Sequence, residues 1–238
     1  MEFLNQLTKN QQLAFLEHLN QFVNTERKKK FDKLVELRTR YLTIVLEDIF
    51  QPHNASAVLR SCDCFGIQDV HIIENRNKYQ VNRDVALGSP KWLDLKRYNS
   101  SDFNTPEAYE VLKQRGYTIV ATSPHKNDCS IEELPLDKPV AIVFGTEKVG
   151  LTQYAINNAD AWVKIPMVGF TESLNISVSA AITLYTLTQR LYNENIPWQM
   201  NPSEKVEVLI HWAMNTLNKS ESVARNFVNN LMQLSQQS

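Results

Sequence analysis

The spacing of hydrophobic residues changes near residue 41 and divides the chain into regions of different structure. In residues 1–38 the apolar positions recur three and four residues apart, which predicts helices. Between residue 41 and about residue 166, short runs rich in β-branched residues predict strands instead. These runs are TIVLEDI (43–49), DVHIIE (69–74), TIVATS (118–123), VAIVFG (140–145) and AWVKIP (161–166).

Helical patterns lie between and after the strands, at 51–66, Thr105–Gln114, Leu151–Asn158 and Asn175–Asn193. Strands that alternate with helices predict an α/β fold with a mostly parallel sheet covered on both faces. After a polar, proline-bearing linker, NIPWQMNPSE, the pattern becomes helical again. We therefore expect an N-terminal helical extension (1–40), an α/β domain (41–193) and a C-terminal helical extension (194–238).

The segment QPHNASAVLRSCDCFG (51–66) places a polar face beside an apolar one. Asn54 is expected to cap the N-terminus of its helix, because a side-chain oxygen can accept a hydrogen bond from a free amide of the first turn. The apolar stripe consists of Ala55, Val58, Cys62 and Phe65. Arg60 falls on the other side, so the local pattern by itself favours a surface arginine paired with Asp63.

Two loops that follow predicted strands contain glycines and polar residues that a simple connection would not need. In VAIVFGTEKVGL, Gly145 comes directly after an apolar strand, and glycine allows a ligand to approach the backbone closely. The spacing matches neither a dinucleotide-binding turn nor a P-loop. In IPMVGFTESLNISVSAA, a polar cluster with Ser173 and Asn175 precedes a helix, and these two residues are also candidates for simple helix caps.

Composition is that of a globular protein, with 43% hydrophobic and 21% charged residues in a chain of 238. No run approaches the roughly 20 apolar residues of a membrane span, and the first residues lack a signal-peptide pattern, so we expect a cytoplasmic protein with no membrane partner. The three cysteines are expected to be reduced core thiols, and no His or Cys spacing predicts a metal site.

Positive charge is concentrated near the N-terminus, although the formal net charge is only −1. One segment contains Arg27, Lys28, Lys29, Lys30, Lys33, Arg38 and Arg40, with Glu26, Asp32 and Glu36 as its acids. Such a run is either a solvated helix face or a surface that contacts phosphate groups.

Taken together, three segments resemble the motifs of the SpoU/TrmH branch of the SPOUT methyltransferases. They are HNASAVLRSCDCFG, FGTEKVGL and IPMVGFTESLNISVSAA, which occur in the expected order between about residues 41 and 192. The resemblance implies transfer of a methyl group from S-adenosylmethionine to a ribose 2′-hydroxyl of RNA. It also implies a parallel-sheet SPOUT fold with a C-terminal trefoil knot, and a homodimer.

The resemblance assigns roles to particular residues. Those expected to hold the cofactor are Thr122, Gly145, Ile165 and Leu174. Those expected to form the catalytic pocket are Asn54, Arg60, Glu147, Ser173 and Asn175. The resemblance gives Arg60 the role of base or hydroxyl activator; because arginine is almost never deprotonated in water, stabilisation of a developing alkoxide is the physically easier of the two roles.

Within the family, the resemblance is greatest to the TrmH enzymes, which methylate guanosine-18 in the tRNA D-loop. The segments LEDIFQPHNASAVLR and ALGSPKWLDLKRY and the helical extensions support this assignment. Alternatives are a 2′-O-methyltransferase for rRNA or another tRNA nucleotide, and a non-catalytic RNA-binding protein. The residues expected to bind tRNA are Lys28, Lys29, Lys30, Arg38 and Arg40. The small residues after Asn175 are expected to pack against the second subunit.

Overall fold

A computed structural model describes residues 6–123, 129–146 and 149–235. The chain forms two compact units. Residues Thr39–Trp198 form the sheet unit, and the residues up to Arg38 form a helical unit with those from Gln199 onward. At the ends of the sheet unit, the Thr39 hydroxyl donates a hydrogen bond to the Trp198 carbonyl at 2.7 Å.

The sheet unit is built on a parallel sheet of seven strands within the described residues. The strands are β1 (Leu42–Glu47), β2 (Asp69–Ile73), β3 (Asp94–Tyr98), β4 (Thr118–Thr122), β5 (Cys129–Ser130), β6 (Val140–Phe144) and β7 (Ala161–Lys164). Their order in the sheet is β3-β2-β1-β6-β4-β7-β5, and all pairs are parallel. The predicted α/β fold with a parallel sheet is confirmed.

Helices cover both faces of the sheet. They are α3 (Pro52–Cys64), α4 (Arg83–Ala86), α5 (Thr105–Gln114), α6 (Gln153–Asn158) and α7 (Ile176–Asn193). In β6, Val140 and Ile142 join a core cluster with α3 and α7, whereas Ala141 and Val143 join a second cluster with α5 and α6. Successive strand residues point to opposite faces, so these apolar runs are buried on both sides.

Strand β3 was not predicted, because its sequence DLKRY carries three charged residues in five. It lies at one edge of the sheet, where charged side chains are common. Arg97 reaches the carboxylate of Glu74 at 2.7 Å, and Tyr98 is buried. Strand β3 is therefore stabilised by pairing with β2 and by these side-chain contacts, which an apolar sequence pattern does not reveal.

The helical unit brings the two terminal segments together. It contains α1 (Lys9–Asn20), α2 (Thr25–Val35), α8 (Pro202–Thr216) and α9 (Ser220–Ser235). Helix α8 packs against both α1 and α2. The ring of Trp212 lies 5.5 Å from that of Phe31, and both side chains are buried. The apolar stripes of the two chain ends therefore form one shared core.

Candidate active site

Three neighbouring strands end at one cavity. In the sheet, β4 lies between β6 and β7, so their carboxyl ends share one edge. Thr122 ends β4, and Gly145 and Ile165 directly follow β6 and β7. All three line a cavity of about 380 Å³, together with Ser173 and Leu174 from the segment that leads into α7. The four predicted cofactor residues and one predicted catalytic residue thus meet at a single place.

The loop after β6 leaves no room for a side chain at Gly145. A Cβ atom there would overlap the backbone of Gly150 and Leu151. The loop closes on itself, because the backbone groups of Thr146 and Gly150 exchange two hydrogen bonds of 3.0 Å. Gly150 has a φ of 73°, a conformation that favours glycine. Both glycines are therefore required by the fold of this loop.

Glu47 anchors the far end of the same loop, a role that was not predicted. Its buried carboxylate accepts hydrogen bonds of 2.8 Å from both the amide and the hydroxyl of Thr152, which caps α6. It also accepts one of 2.5 Å from Thr105, at the start of α5. Burial raises the pKa of nearby Tyr109, and the Glu47 charge raises it further. The only signal in the sequence is a carboxylate at the end of an apolar strand.

Asn175 connects the second loop to α3. Its side chain caps α7 by accepting a hydrogen bond of 2.8 Å from the amide of Ser177. Its amide group donates to the side-chain oxygen of Asn54 at 3.2 Å. Asn175 therefore caps α7, as one interpretation expected, and it also links two of the predicted motifs.

The predicted cap role of Asn54 is wrong. Helix α3 begins at Pro52, its N-cap residue is Gln51, and Asn54 lies in the first turn. Proline is favoured at the first helical position because it has no amide hydrogen to satisfy there. The buried amide of Asn54 instead donates to Gln51 Oε1 at 3.2 Å, while its oxygen accepts from Asn175. Asn54 thus links the start of α3 to the start of α7.

Arg60 lies on the exposed side of α3, as predicted, and the apolar stripe of this helix is packed in the core. Arg60 is not among the described residues that line the cavity. Glu147, the remaining predicted catalytic residue, lies outside the described residues, in the loop that Gly145 begins.

The predicted RNA-binding residues separate into two groups. Lys28, Lys29 and Lys30 are exposed on α2. Arg38 is buried, with its guanidinium 5.2 Å from the centre of the Trp212 ring. Arg40 forms ion pairs with Asp69 at 3.0 Å and with Asp94 at 2.9 Å. Of these five residues only the three lysines are exposed, because the Arg38 guanidinium packs on Trp212 and the Arg40 guanidinium is ion-paired within its own unit.

Other features limit the chemistry of the described chain. Within residues 6–123, 129–146 and 149–235, no group of three or more His, Cys, Asp or Glu side chains is placed to hold a metal ion. The same residues contain no helix long and apolar enough to cross a membrane. The cysteines are free thiols, but only Cys62 belongs to the core, because Cys64 is exposed and Cys129 is half-buried.

The cavity suits an organic ligand held largely by backbone and neutral groups. Its walls combine apolar side chains such as Ile165 and Leu174 with the polar backbone of the Gly145 loop. The Thr122 hydroxyl donates to the Val143 carbonyl at 2.8 Å, which ties the ends of β4 and β6 together. A rigid floor and a close backbone approach can orient a ligand, and Lys164 at the end of β7 adds one charged side chain to the lining.

Comparison with known proteins agrees with this arrangement. The sequence model of the SpoU rRNA Methylase family matches residues 41–185. The chain is 46% identical over 187 residues to the tRNA (guanosine(18)-2′-O)-methyltransferase of Borreliella burgdorferi, covering 79% of this chain and 84% of that protein. It is 32% identical over 191 residues to the enzyme of the same name from Thermus thermophilus, covering 78% and 95%.

A solved structure shows the same fold over most of the chain. The crystal structure of the TrmH/SpoU tRNA modifying enzyme of A. aeolicus superimposes with a TM-score of 0.72 at 28% sequence identity. The match covers 82% of this chain and 98% of that one, so it extends beyond the sheet unit.

Proposed function

Because the chain belongs to the SpoU rRNA Methylase family, we propose that it transfers a methyl group from S-adenosylmethionine to the ribose 2′-hydroxyl of guanosine-18 in the tRNA D-loop. The observation that carries the proposal is the convergence of Thr122, Gly145, Ile165, Ser173 and Leu174 on one cavity. The relatives that match along most of their length carry this tRNA activity in their names, which supports tRNA over rRNA as the substrate.

The cavity fits the proposed cofactor. The lack of room for a Cβ at Gly145 means that a ligand meets peptide groups there instead of a side chain. Thr122, Gly145, Ile165 and Leu174 would hold the cofactor. When bound, the cofactor supplies a methyl group that its positive sulfonium already activates toward a nucleophile.

The protein must then make a ribose hydroxyl reactive. A hydroxyl is a poor nucleophile at neutral pH, so charge that develops on its oxygen needs a partner. We assign this role to Arg60, whose guanidinium stays charged and can stabilise the alkoxide electrostatically. Asn54 and Asn175, joined at 3.2 Å, would position the nucleotide beside the cavity, with Ser173 at its rim. Glu147 is proposed to organise the same pocket.

We also propose that the active protein is a homodimer. Helix α7 exposes Val178, Ile182 and Tyr185 by 45%, 38% and 57%, at positions that share one helix face. Of the small residues expected at this contact, Ala180 is buried in the core of its own subunit, whereas Ser177, Ser179 and Ala181 are half-buried on the same helix. Covering the exposed face with the same face of a second copy would bury it symmetrically.

The dimer would also complete the site, because Arg60 is exposed and is not among the described residues lining the cavity of its own chain. A mixture of Arg60→Ala with Gly145→Val protein should then recover activity, since one site of the mixed dimer combines an intact arginine with an intact cavity. No recovery, after exchange of subunits has been verified, would place Arg60 and the cavity of one chain at the same site. We also propose that the chain forms the C-terminal trefoil knot that the family resemblance implies.

The proposed activity is tested by mapping the methylated nucleotide. Purified protein, labelled S-adenosylmethionine and an unmodified tRNA transcript should give one 2′-O-methylated nucleotide, guanosine-18. The matched control is the same tRNA with 2′-deoxyguanosine at that position, which lacks the acceptor hydroxyl and should stay unlabelled. Label at another tRNA position would favour a different tRNA nucleotide as the target, and label in rRNA alone would favour the rRNA activity in the family description. Absence of cofactor binding would favour a non-catalytic RNA-binding protein.

A further inference from the structure

Thr183 carries a buried hydroxyl that has no hydrogen-bond partner among the described residues. The residue lies in the middle of α7 and is 1% exposed. Buried hydroxyls are nearly always hydrogen-bonded, because burial removes the water that would otherwise satisfy them. The unpaired Thr183 hydroxyl therefore indicates a partner that is not part of the described chain.

The helix itself does not satisfy this hydroxyl, although it satisfies the next threonine. Thr188 donates to the carbonyl oxygen of Leu184 at 2.7 Å, the usual bond of a helical threonine to the residue four positions earlier. Both threonines are buried to the same extent, at 1% exposure. The difference between them is their surroundings, since Thr183 lines the cavity and Thr188 is not among the described lining residues.

The position of Thr183 on α7 directs it toward the ligand space. Ile176, Ser179 and Thr183 follow each other at intervals of three and four residues, so they share one helix face. All three line the same cavity as Gly145 and Ile165. The missing partner of the Thr183 hydroxyl is therefore expected inside this cavity.

We infer that the Thr183 hydroxyl forms a hydrogen bond with the adenosyl half of S-adenosylmethionine and thereby contributes to cofactor affinity. This inference rests on the proposed function, because it takes the cavity to be the cofactor site. The adenosyl half is the neutral end of the cofactor, and the helix face of Thr183 offers only neutral groups. Among the described residues that line the cavity, the charged ones are Lys164 and Glu172, which lie outside α7 and suit the amino acid end.

The experiment compares Thr183→Val with Thr188→Val, two changes that remove a hydroxyl at nearly constant volume from the same helix. Titration calorimetry measures cofactor affinity, and thermal unfolding without cofactor measures stability. Thr183→Val should weaken S-adenosylmethionine binding about three- to tenfold, the effect of one neutral hydrogen bond. Its melting temperature should not fall, because no internal bond is lost. Thr188→Val should do the reverse, with a lower melting temperature and unchanged affinity.

Ligand fragments test the assignment to the adenosyl half. S-adenosylhomocysteine and 5′-methylthioadenosine share this half, but only the first carries the amino acid end. Thr183→Val should weaken both by the same factor. Weakening of S-adenosylhomocysteine alone would overturn the assignment. Wild-type affinity in Thr183→Val, or a fall in its melting temperature equal to that of Thr188→Val, would overturn the inference while the proposed function stands. Failure of the wild-type protein to bind S-adenosylmethionine would instead refute the proposed function.

Discussion

Replacing Gly145 with alanine tests whether the loop after β6 is built around a close backbone approach. The added Cβ would overlap the backbone of Gly150 and Leu151. Overpacking of this kind costs about 1–3 kcal/mol, and the upper end applies here because backbone cannot rotate away as a side chain can. For a chain of this size, about 3 kcal/mol corresponds to a fall in melting temperature of roughly 6–12 °C. Because the displaced loop lines the cavity, S-adenosylmethionine affinity should fall at least about tenfold.

Gly169 provides the matched control in the loop that follows β7. A Cβ at Gly169 would meet its nearest neighbour, the backbone nitrogen of Thr171, at 3.9 Å, which is an ordinary contact. Gly169→Ala should therefore melt within about 2 °C of the wild-type protein, since substitutions that meet no obstacle stay within about 0.5 kcal/mol. Scanning calorimetry and cofactor titration check both variants. A Gly145→Ala protein as stable as Gly169→Ala would refute the argument from close approach.

Three further predictions concern charge. Arg60→Ala should lower the single-turnover rate of methyl transfer at least about a hundredfold. Its unfolding free energy should change by less than about 0.5 kcal/mol, because the side chain is exposed. A wild-type rate would show that Arg60 takes no part in the reaction. Neutralising Lys28–Lys30 should flatten the salt dependence of tRNA binding by about one unit of slope per lost phosphate contact, and an unchanged slope would assign these lysines to solvation. Burial lowers the pKa of His71 to about 3, with smaller contributions from Arg115 and Lys96. Between pH 7 and pH 5 the unfolded chain, in which this pKa is near 6.5, binds a proton that the native state excludes, so the unfolding free energy should fall by about 2 kcal/mol. His71→Gln should remove this part of the pH dependence in urea unfolding curves.

The parallel sheet could be predicted because each of its apolar strands leaves a local pattern in the sequence. The edge where ligands bind could be predicted because it is formed by the carboxyl ends of those strands. Each apolar run gave one strand, and carboxyl ends of parallel strands share an edge. The family resemblance assigned Thr122, Gly145 and Ile165 to the cofactor, and the shared edge of β6, β4 and β7 explains why they lie together. Strand β3 could not, because its stability comes from pairing with β2 and from the ion pair of Arg97 with Glu74 rather than from an apolar run.

The sequence does not show which distant side chains a residue meets in the fold. A count of positive charges cannot tell that Arg40 meets Asp69 and Asp94, which lie 29 and 54 positions away. Asn54 was the expected N-cap of α3, but the helix begins at Pro52, so that Gln51 is the N-cap residue. Asn54 was then free to reach Asn175, which lies 121 positions away.

The link between Asn54 and Asn175 gives a last prediction that separates helix capping from function. Serine is a good N-cap, so Asn175→Ser should keep the cap of α7, but its shorter side chain cannot reach Asn54 across the present 3.2 Å contact. Asn175→Ala should lose both, and its unfolding free energy should be lower than that of the serine variant by about 1 kcal/mol.

If Asn175 serves only as a cap, the serine variant will methylate tRNA at the wild-type rate. If the contact with Asn54 positions the ribose, the serine and alanine variants will be equally slow despite their different stabilities, and Asn54→Ala will add no further loss to either. Rates that follow stability across the variants would contradict the positioning role. Rates that follow the Asn54–Asn175 contact would show that the loop lining the cavity positions the start of α3, the helix that carries Arg60.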